Sequence, residues 1–279
     1  MNELVALVKF YILILTGKEQ KKISDFVQHH VLMFTCDIKM LPKMKYLINM
    51  LFPSRCLICH RVSVFSTFIC RDCFLELEIF LDMPVDFTRD DMSWLEDVVC
   101  VYWFTQELQI LVHHLKYKQA DYIGRFLGTK AGLLTKHLPV SQADALIPVP
   151  LHPRRKRQRG YNQSEQIALG ISQIWNIPVH SELTYRKVHT STQTRLNKEE
   201  RRNNISGVFG IRAGQIPPAH CVIVDDILTT GATTCELGRT LYEAGADKIS
   251  IITLGTPFTY LGIQFSPDID ETYEIDTHI

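Results

Sequence analysis

The stretch CVIVDDILTTGATT, residues 221–234, carries the fold. Val222, Ile223 and Val224 form a short apolar run, the pattern of a strand buried on both faces. Asp225 and Asp226 follow at its carboxyl end, then a turn of small and hydroxyl residues, Thr229, Thr230, Gly231, Ala232, Thr233 and Thr234. Beyond it, ELGRTLYEAGA has helical spacing, with Leu237, Leu241 and Ala244 on one face. Working outward, strands are expected at 98–104 and near 145–149 and 248–254, separated by helices. Residues 107–118 read as an amphipathic helix whose Leu108, Leu111, Val112 and Leu115 share a face. Alternating strand and helix predicts an α/β fold, a parallel sheet flanked by helices.

The strand–acid–turn–helix segment also reads as a binding site. Two adjacent carboxylates repel by about 4 kcal/mol at 4 Å and an effective dielectric of 20. Hydroxyls or a cation must offset that repulsion, and a sugar diol offers two O–H donors. The turn from Thr229 to Thr233 presents backbone N–H groups and hydroxyls at a helix N-terminus, which suits an anion. Gly231 lets the backbone approach a phosphate closely. Together the parts suit a phosphorylated ribose at the carboxyl ends of the strands. The alternative is an Asx-rich turn that only caps a helix.

Composition narrows the class. The chain has 279 residues, 46% of them hydrophobic, enough for one substantial core or two modest ones. Its formal net charge is zero, so no global field draws it to nucleic acid or membrane, and local clusters must carry any such interaction. No secretory pattern accompanies the eight cysteines, and the expected compartment is the cytoplasm. Residues 4–15, LVALVKFYILIL, are the most apolar run, but about 12 residues fall short of the roughly 20 that span a bilayer. Glu3 before the run and Lys9 within it do not fit a signal peptide. Met40, Met44 and Met50 are alternative starts, and residues 1 to about 39 are open to the reading that they come from an upstream start codon.

Cys56 and Cys59 form one CxxC pair and Cys70 and Cys73 another, with ten residues between. Two such knuckles supply the tetrahedral four-sulfur set that structural zinc prefers. The spacer is about right for a short hairpin, and bound zinc would contribute about 10–16 kcal/mol of folding energy, as in comparable small sites. Two redox pairs or buried free thiols are the alternatives. His60 is expected on the surface rather than as a ligand.

Downstream of ALIPVP, residues 145–150, Arg154, Arg155, Lys156, Arg157 and Arg159 place five cations in six residues. This basic loop lies between a strand and a helix expected at 163–175, capped by Asn162 or Ser164. It can face the acidic pair as a pyrophosphate site or present a face to nucleic acid, and the two roles can coexist. Residues 186–204, RKVHTSTQTRLNKEERRNN, read as a long polar loop and short helix, either a substrate lid or a plain surface loop. His113 and His114 are expected in a surface or core role.

The segment 221–234 closely resembles the phosphoribosyl pyrophosphate (PRPP) signature of type I phosphoribosyltransferases. That resemblance implies that Asp225 and Asp226 contact the ribose hydroxyls, and that Thr229, Thr230, Gly231, Ala232 and Thr233 hold the 5′-phosphate. The order of motifs is more specific: the CxxC…CxxC ribbon, then FTQELQILVHHLKYKQADYIGRFLG, PVPLHPRRKRQRGYNQSEQIA, TSTQTRLNKEERRNNISGVF and VIVDDILTTGATT. It resembles the ComF family of bacteria, also called ComFC or GntX-like, over residues 47–257, about three quarters of the chain. The resemblance implies an N-terminal zinc ribbon joined to a type I phosphoribosyltransferase domain and a link to DNA uptake and transformation. The N-terminal extension and the tail FTYLGIQFSPDIDETYEIDTHI depart from the pattern.

The expected organisation is a helical extension over 1–46, a zinc ribbon over 47–85, a phosphoribosyltransferase-like domain over 86–257 and an acidic tail over 258–279. The first functional expectation is an enzyme that binds PRPP with Mg²⁺ and displaces pyrophosphate by an acceptor the sequence does not name. The others are a single-stranded-DNA-binding module of DNA uptake, partnered by DNA-uptake proteins, and a PRPP-sensing regulator without chemistry. None of these readings includes a membrane span.

Overall fold

A computed structural model of the chain describes residues 54–63, 68–82, 92–187 and 207–257. The expected extension over 1–46, nearly all of the polar stretch 186–204 and the tail 258–279 lie outside the described residues. The chain divides into two compact units after Phe74.

The first unit is small. Strands β1 (Ser54–Arg55) and β2 (Val62–Ser63) pair antiparallel, and helix α1 (Arg71–Leu75) follows. His60 takes a left-handed conformation, φ +57°, in the turn between the strands, and its side chain is exposed as expected.

The second unit is built on a five-stranded sheet of strands β3 (Ile79–Asp82), β4 (Leu95–Trp103), β5 (Ala145–Pro148), β8 (His220–Ile227) and β9 (Lys248–Thr256), in the order β3-β4-β9-β8-β5. Four strands are parallel; β3 joins the edge antiparallel, with Ile79 opposite Tyr102. Residues 79–82, read from the sequence as part of the ribbon segment, thus hydrogen-bond to this sheet. Helices α2 (Gln106–Tyr117) and α3 (Asp121–Thr135) connect β4 to β5. Helices α4 (Pro153–Arg159) and α5 (Gln163–Trp175) follow β5, and α6 (Ala232–Glu243) links β8 to β9. A two-stranded antiparallel ribbon, β6 (Thr184–Arg186) and β7 (Phe209–Ile211), precedes β8. The expected α/β class and parallel sheet are therefore present.

The apolar runs become central strands because both faces are covered. Val98, Cys100, Ile147, Cys221, Ile223, Ile249 and Ile251 pack with Leu237 and Leu241 of α6 and with Phe209 of the ribbon. The alternate residues, among them Leu146, Val222, Val224 and Ile252, are equally buried, as are Leu108, Leu111 and Leu115 of α2, Ile123 and Leu127 of α3, and Ile167 and Ile171 of α5. On α6 the expected stripe is shorter than predicted: Ala244 is the C-cap and half-buried, and Ala246 is buried beyond it.

Glycines let α3 and α5 approach closely. Gly124, Gly128 and Gly132 recur every fourth residue on α3, so they share one face. A Cβ at Gly128 would lie 2.1 Å from the Ile167 carbonyl oxygen, and one at Gly170 would lie 2.3 Å from the Arg125 carbonyl oxygen. Trp175 closes the contact, its Nε1–H donating to the Gly132 carbonyl at 3.1 Å.

Candidate functional site

Strand β8 delivers the acidic pair to the carboxyl end of the sheet. Successive side chains leave a strand in opposite directions, and the two carboxylates take different partners. Ser164 Oγ, in the first turn of α5, donates to Asp225 Oδ1 at 2.9 Å. The same oxygen accepts from the Asp226 N–H at 2.9 Å. Asp226 is buried; its Oδ2 lies 3.0 Å from Lys116 Nζ on α2, and its Oδ1 accepts from the Ile227 N–H at 2.8 Å.

The electrostatics separate the pair. Burial, and then the charge of Asp226, push the Asp225 carboxyl up to about 7, against the pull of Ser164, the Asp226 N–H and Lys116. Burial disfavours the Lys116 charge, yet the Asp226 carboxylate outweighs it and raises the ammonium above its ordinary value. Burial lowers Arg159, with Asp226 opposing and Arg155 adding to the effect. Arg186 at the end of β6 is lowered by burial and by Arg155, with Asp225 opposing. Three cations from three elements, Lys116, Arg159 and Arg186, therefore share the field of two carboxylates.

The hydroxyl turn leads into the N-terminus of α6, a 12-residue helix. Gly231 has φ +71°, a left-handed conformation that costs little only without a Cβ. The hydroxyls do different work. Thr230 Oγ1 accepts from the Ala232 N–H at 3.4 Å, and buried Thr234 donates to the Gly231 carbonyl at 3.0 Å. Thr229 is exposed, whereas Thr230, Ala232 and Thr233 are half-buried. Behind the turn, Thr256 Oγ1 donates to the Leu228 carbonyl at 3.2 Å, tying the turn to β9.

The basic segment is not the expected loop. Residues 153–159 form helix α4, opened by Pro153 and closed by Gly160 at φ +88°. His152 Nδ1 accepts from the Arg154 N–H at 3.2 Å, and the Gly160 N–H donates to the Lys156 carbonyl at 2.8 Å. Proline at the start and glycine past the end are the physical signals for this helix, and the charge run obscured them. The helix sorts the five cations. Arg155 and Arg159, one turn apart, are half-buried, and Arg159 lies in the field of Asp226, whereas Arg154, Lys156 and Arg157 are exposed. Arg159 is held by Gln163, whose Oε1 accepts from Nη1 at 2.5 Å, and by the Tyr117 ring, 5.6 Å from its guanidinium carbon. Lys156 pairs with Glu165 at 3.8 Å.

The RGYNQS segment, residues 159–164, joins these parts. The Tyr161 hydroxyl donates to the Leu115 carbonyl on α2. Asn162 caps α5: its Oδ1 accepts from the Ser164 N–H at 3.1 Å, while its Nδ2 donates to the Val149 carbonyl at 2.9 Å. Sequence reasoning thus found the acidic pair, the turn and the cap, but missed Lys116 and Arg186 and saw Ser164 only as a cap. Lys116 lies in the segment FTQELQILVHHLKYKQADYIGRFLG that carries part of the resemblance, but within it the lysine only follows the apolar stripe of α2 and is not set apart from Lys118. Both histidines on α2 are half-buried, and His114 Nδ1 lies 2.9 Å from the Ile110 carbonyl oxygen of its own helix.

In the first unit, the sulfurs of Cys56, Cys59, Cys70 and Cys73 all lie within 4.8 Å of one another, a cluster that could hold a metal ion. Cys56 and Cys73 are buried. Arg61 Nε donates to Cys59 Sγ at 3.4 Å and holds that thiol down, to about 6. The Cys73 N–H donates to Cys70 Sγ at 3.5 Å. Burial pushes the Cys73 thiol up.

No family model matches the chain. Competence protein F of Haemophilus influenzae is 28% identical over 190 residues, 65% of this chain and 82% of that protein. DNA utilization protein YhgH of Escherichia coli O157:H7 is 28% identical over 200 residues, 70% of this chain and 87% of that protein. Among solved structures, a purine phosphoribosyltransferase from Pyrococcus horikoshii superposes with a TM-score of 0.30 at 21% identity, over 51% of this chain and 76% of that one. That likeness is too loose to carry a residue's role across. By sequence, the chain is a relative of the proteins named competence protein F and YhgH.

Proposed function

We propose that the second unit binds PRPP, accompanied by Mg²⁺, and transfers its phosphoribosyl group to an acceptor. The observation that carries this reading is the pairing of Asp225 and Asp226 with the glycine-opened turn at the start of α6, with Arg159 in the field of Asp226 and Arg155 on the same half-buried face of α4. The ribose diol would sit on the acidic pair and the 5′-phosphate in the turn of Thr229, Thr230, Gly231, Ala232 and Thr233. Asp225 suits a diol, since a carboxyl that titrates near neutrality can accept from one sugar hydroxyl or donate to it. Pyrophosphate, brought with its Mg²⁺, would lie toward Arg155 and Arg159. Its departure takes the electron pair of the C1–O bond, and the acceptor's lone pair forms the new bond to C1. The acceptor's proton goes to solvent or to the departing pyrophosphate. Positive charge that develops on the ribose falls near the carboxylates, and negative charge on pyrophosphate falls near the arginines.

In the first unit the proposed ion is zinc, held by Cys56, Cys59, Cys70 and Cys73 in a structural role. Zinc–sulfur bonds of about 2.3 Å in a tetrahedron set the sulfurs about 3.8 Å apart; Cys59 and Cys70 are 3.7 Å apart. Four cysteine ligands leave no position open for chemistry.

The relatives' names, competence and DNA utilization, support a role in DNA uptake or use; the reading places the activity in the cytoplasm, in that role or in nucleotide metabolism. A second reading, in which the protein contacts single-stranded DNA without chemistry, is favoured by the outward row Arg154, Lys156 and Arg157. Calorimetric titration with PRPP and Mg²⁺, run on wild type and on Asp225→Asn/Asp226→Asn, separates the readings. Saturable binding that the double variant loses supports the ribose-phosphate site. Absent binding to folded wild type, with salt-sensitive retention of single-stranded DNA, supports the second.

A further inference from the structure

The ribose-phosphate reading leaves one strong contact unused, the 3.0 Å ion pair from Lys116 to Asp226. The inference built on it rests on that reading. Lys116 stands in the last turn of α2, and its ammonium reaches Asp226 Oδ2 directly. Its place on α2 is not left to that helix alone. Leu115, the preceding residue, is fully buried and its carbonyl accepts the Tyr161 hydroxyl. Tyr161 in turn sits between Arg159, anchored on Gln163, and Asn162, anchored on Val149. Ser164, two residues beyond Asn162, bonds Asp225. One short segment therefore ties both carboxylates, one directly and one through α2.

We propose that Lys116 is a working member of the ribose site, its ammonium set against Asp226 so that the two carboxylates face a diol unequally, and that Tyr161 is the positioning residue that keeps Lys116 there. Two carboxylates this close repel each other. Lys116 breaks the symmetry: it lies against Asp226, while Asp225, bonded by Ser164, is the carboxyl that burial and Asp226 push up and that Lys116 pulls back. The other charged and titratable groups that act here are Arg159 on α4, which feels Asp226, Arg186 on β6, which feels Asp225, Arg155, which acts on both arginines, and Tyr117 beside Lys116. A diol then meets one fixed acceptor and one carboxyl that adjusts to it.

The test uses the full chain loaded with zinc. Carboxyl carbon NMR follows the acidic pair through a pH titration without ligand, and calorimetry measures PRPP with Mg²⁺ at pH 6.5, 7.5 and 8.5. Lys116→Met is expected to raise the apparent midpoint of Asp225 by about one pH unit or more and to weaken PRPP at least about tenfold near neutrality, the size of one charge-assisted contact. The loss should shrink at pH 8.5, where Asp225 is mostly ionised in both proteins. Lys116→Arg should stay within about threefold of wild type, and Tyr161→Phe should move both readouts the same way by a smaller factor, about three- to tenfold in affinity. Lys116→Gln stands in if the methionine variant does not fold. An unmoved midpoint, or an affinity loss equal at every pH, overturns the role of Lys116; a Tyr161→Phe protein identical to wild type overturns that of Tyr161. A midpoint that moves in a wild-type background that does not bind PRPP overturns the ribose-phosphate reading, and leaves Lys116 as a structural counter-ion only.

Discussion

Replacing Asp225 by Asn should stabilise the protein, and by an amount that grows with pH. Asn keeps the oxygen that accepts from Ser164 Oγ and from the Asp226 N–H, so the hydrogen bonds survive. It removes the charge that burial and Asp226 oppose. The sign follows from proton binding. Asp225 titrates near 3.8 when unfolded and at about 7 when folded, so between those values the folded state holds a proton that the unfolded state has released. Wild type is thus favoured by this group below pH 3.8 and loses that advantage as pH rises through about 7. The displacement corresponds to about 4 kcal/mol at most. Asp225 keeps part of its surface in water, and solvent screening brings the expected difference to about 2 kcal/mol. Urea unfolding of wild type and Asp225→Asn at pH 5, 6, 7 and 8 measures it. The variant's advantage should widen from pH 5 to pH 7 and level off above. A difference that stays constant, or one that favours wild type more at pH 8 than at pH 5, would refute the account of Asp225 as a strained carboxyl kept for binding.

Three further outcomes are expected. Arg155→Ala/Arg159→Ala should weaken PRPP by about tenfold or more per side chain, whereas Arg154→Ala/Arg157→Ala should cost under about fivefold, as measured by calorimetry; equal losses would remove the assignment of the two faces of α4. Gly128→Ala should destabilise by at least about 1–3 kcal/mol in urea unfolding, because the new Cβ meets backbone at 2.1 Å rather than a movable side chain. Elemental analysis should find one zinc per chain, lost in Cys73→Ser and on chelation, with the first unit becoming protease-sensitive; a metal-free protein with resistant residues 54–74 would contradict the proposed centre.

Most of the architecture was legible because it rests on short-range pattern. The run Val222–Val224 can be buried only as a strand covered on both sides, and that is its place in the sheet. The helix at 163–175 coincides with its expected bounds, since Asn162 caps it and its apolar spacing is regular. Helix α4 was missed because five charges hid a Pro153 start and a Gly160 stop. Strand β3 was placed with the ribbon because four residues carry no information about which sheet they join.

By itself the sequence determined what neighbouring residues can decide: the α/β class, the acidic pair ahead of a glycine-opened turn, the helix cap at Asn162, and two CxxC knuckles spaced to meet. Periodicity, caps and spacing act over a few residues, and those forces are written locally. Only the tertiary structure decided which cations serve the carboxylates. Lys116 and Asp226 are far apart along the chain, yet their side chains meet at 3.0 Å. Arg155 and Arg159 are distinguished from their neighbours by the one face of α4 that turns inward. Ser164 reaches Asp225 across 61 residues of sequence, from a helix that packs at glycine contact against α3. Long-range contacts of this kind come from how whole elements pack, and packing depends on the shape of every partner at once.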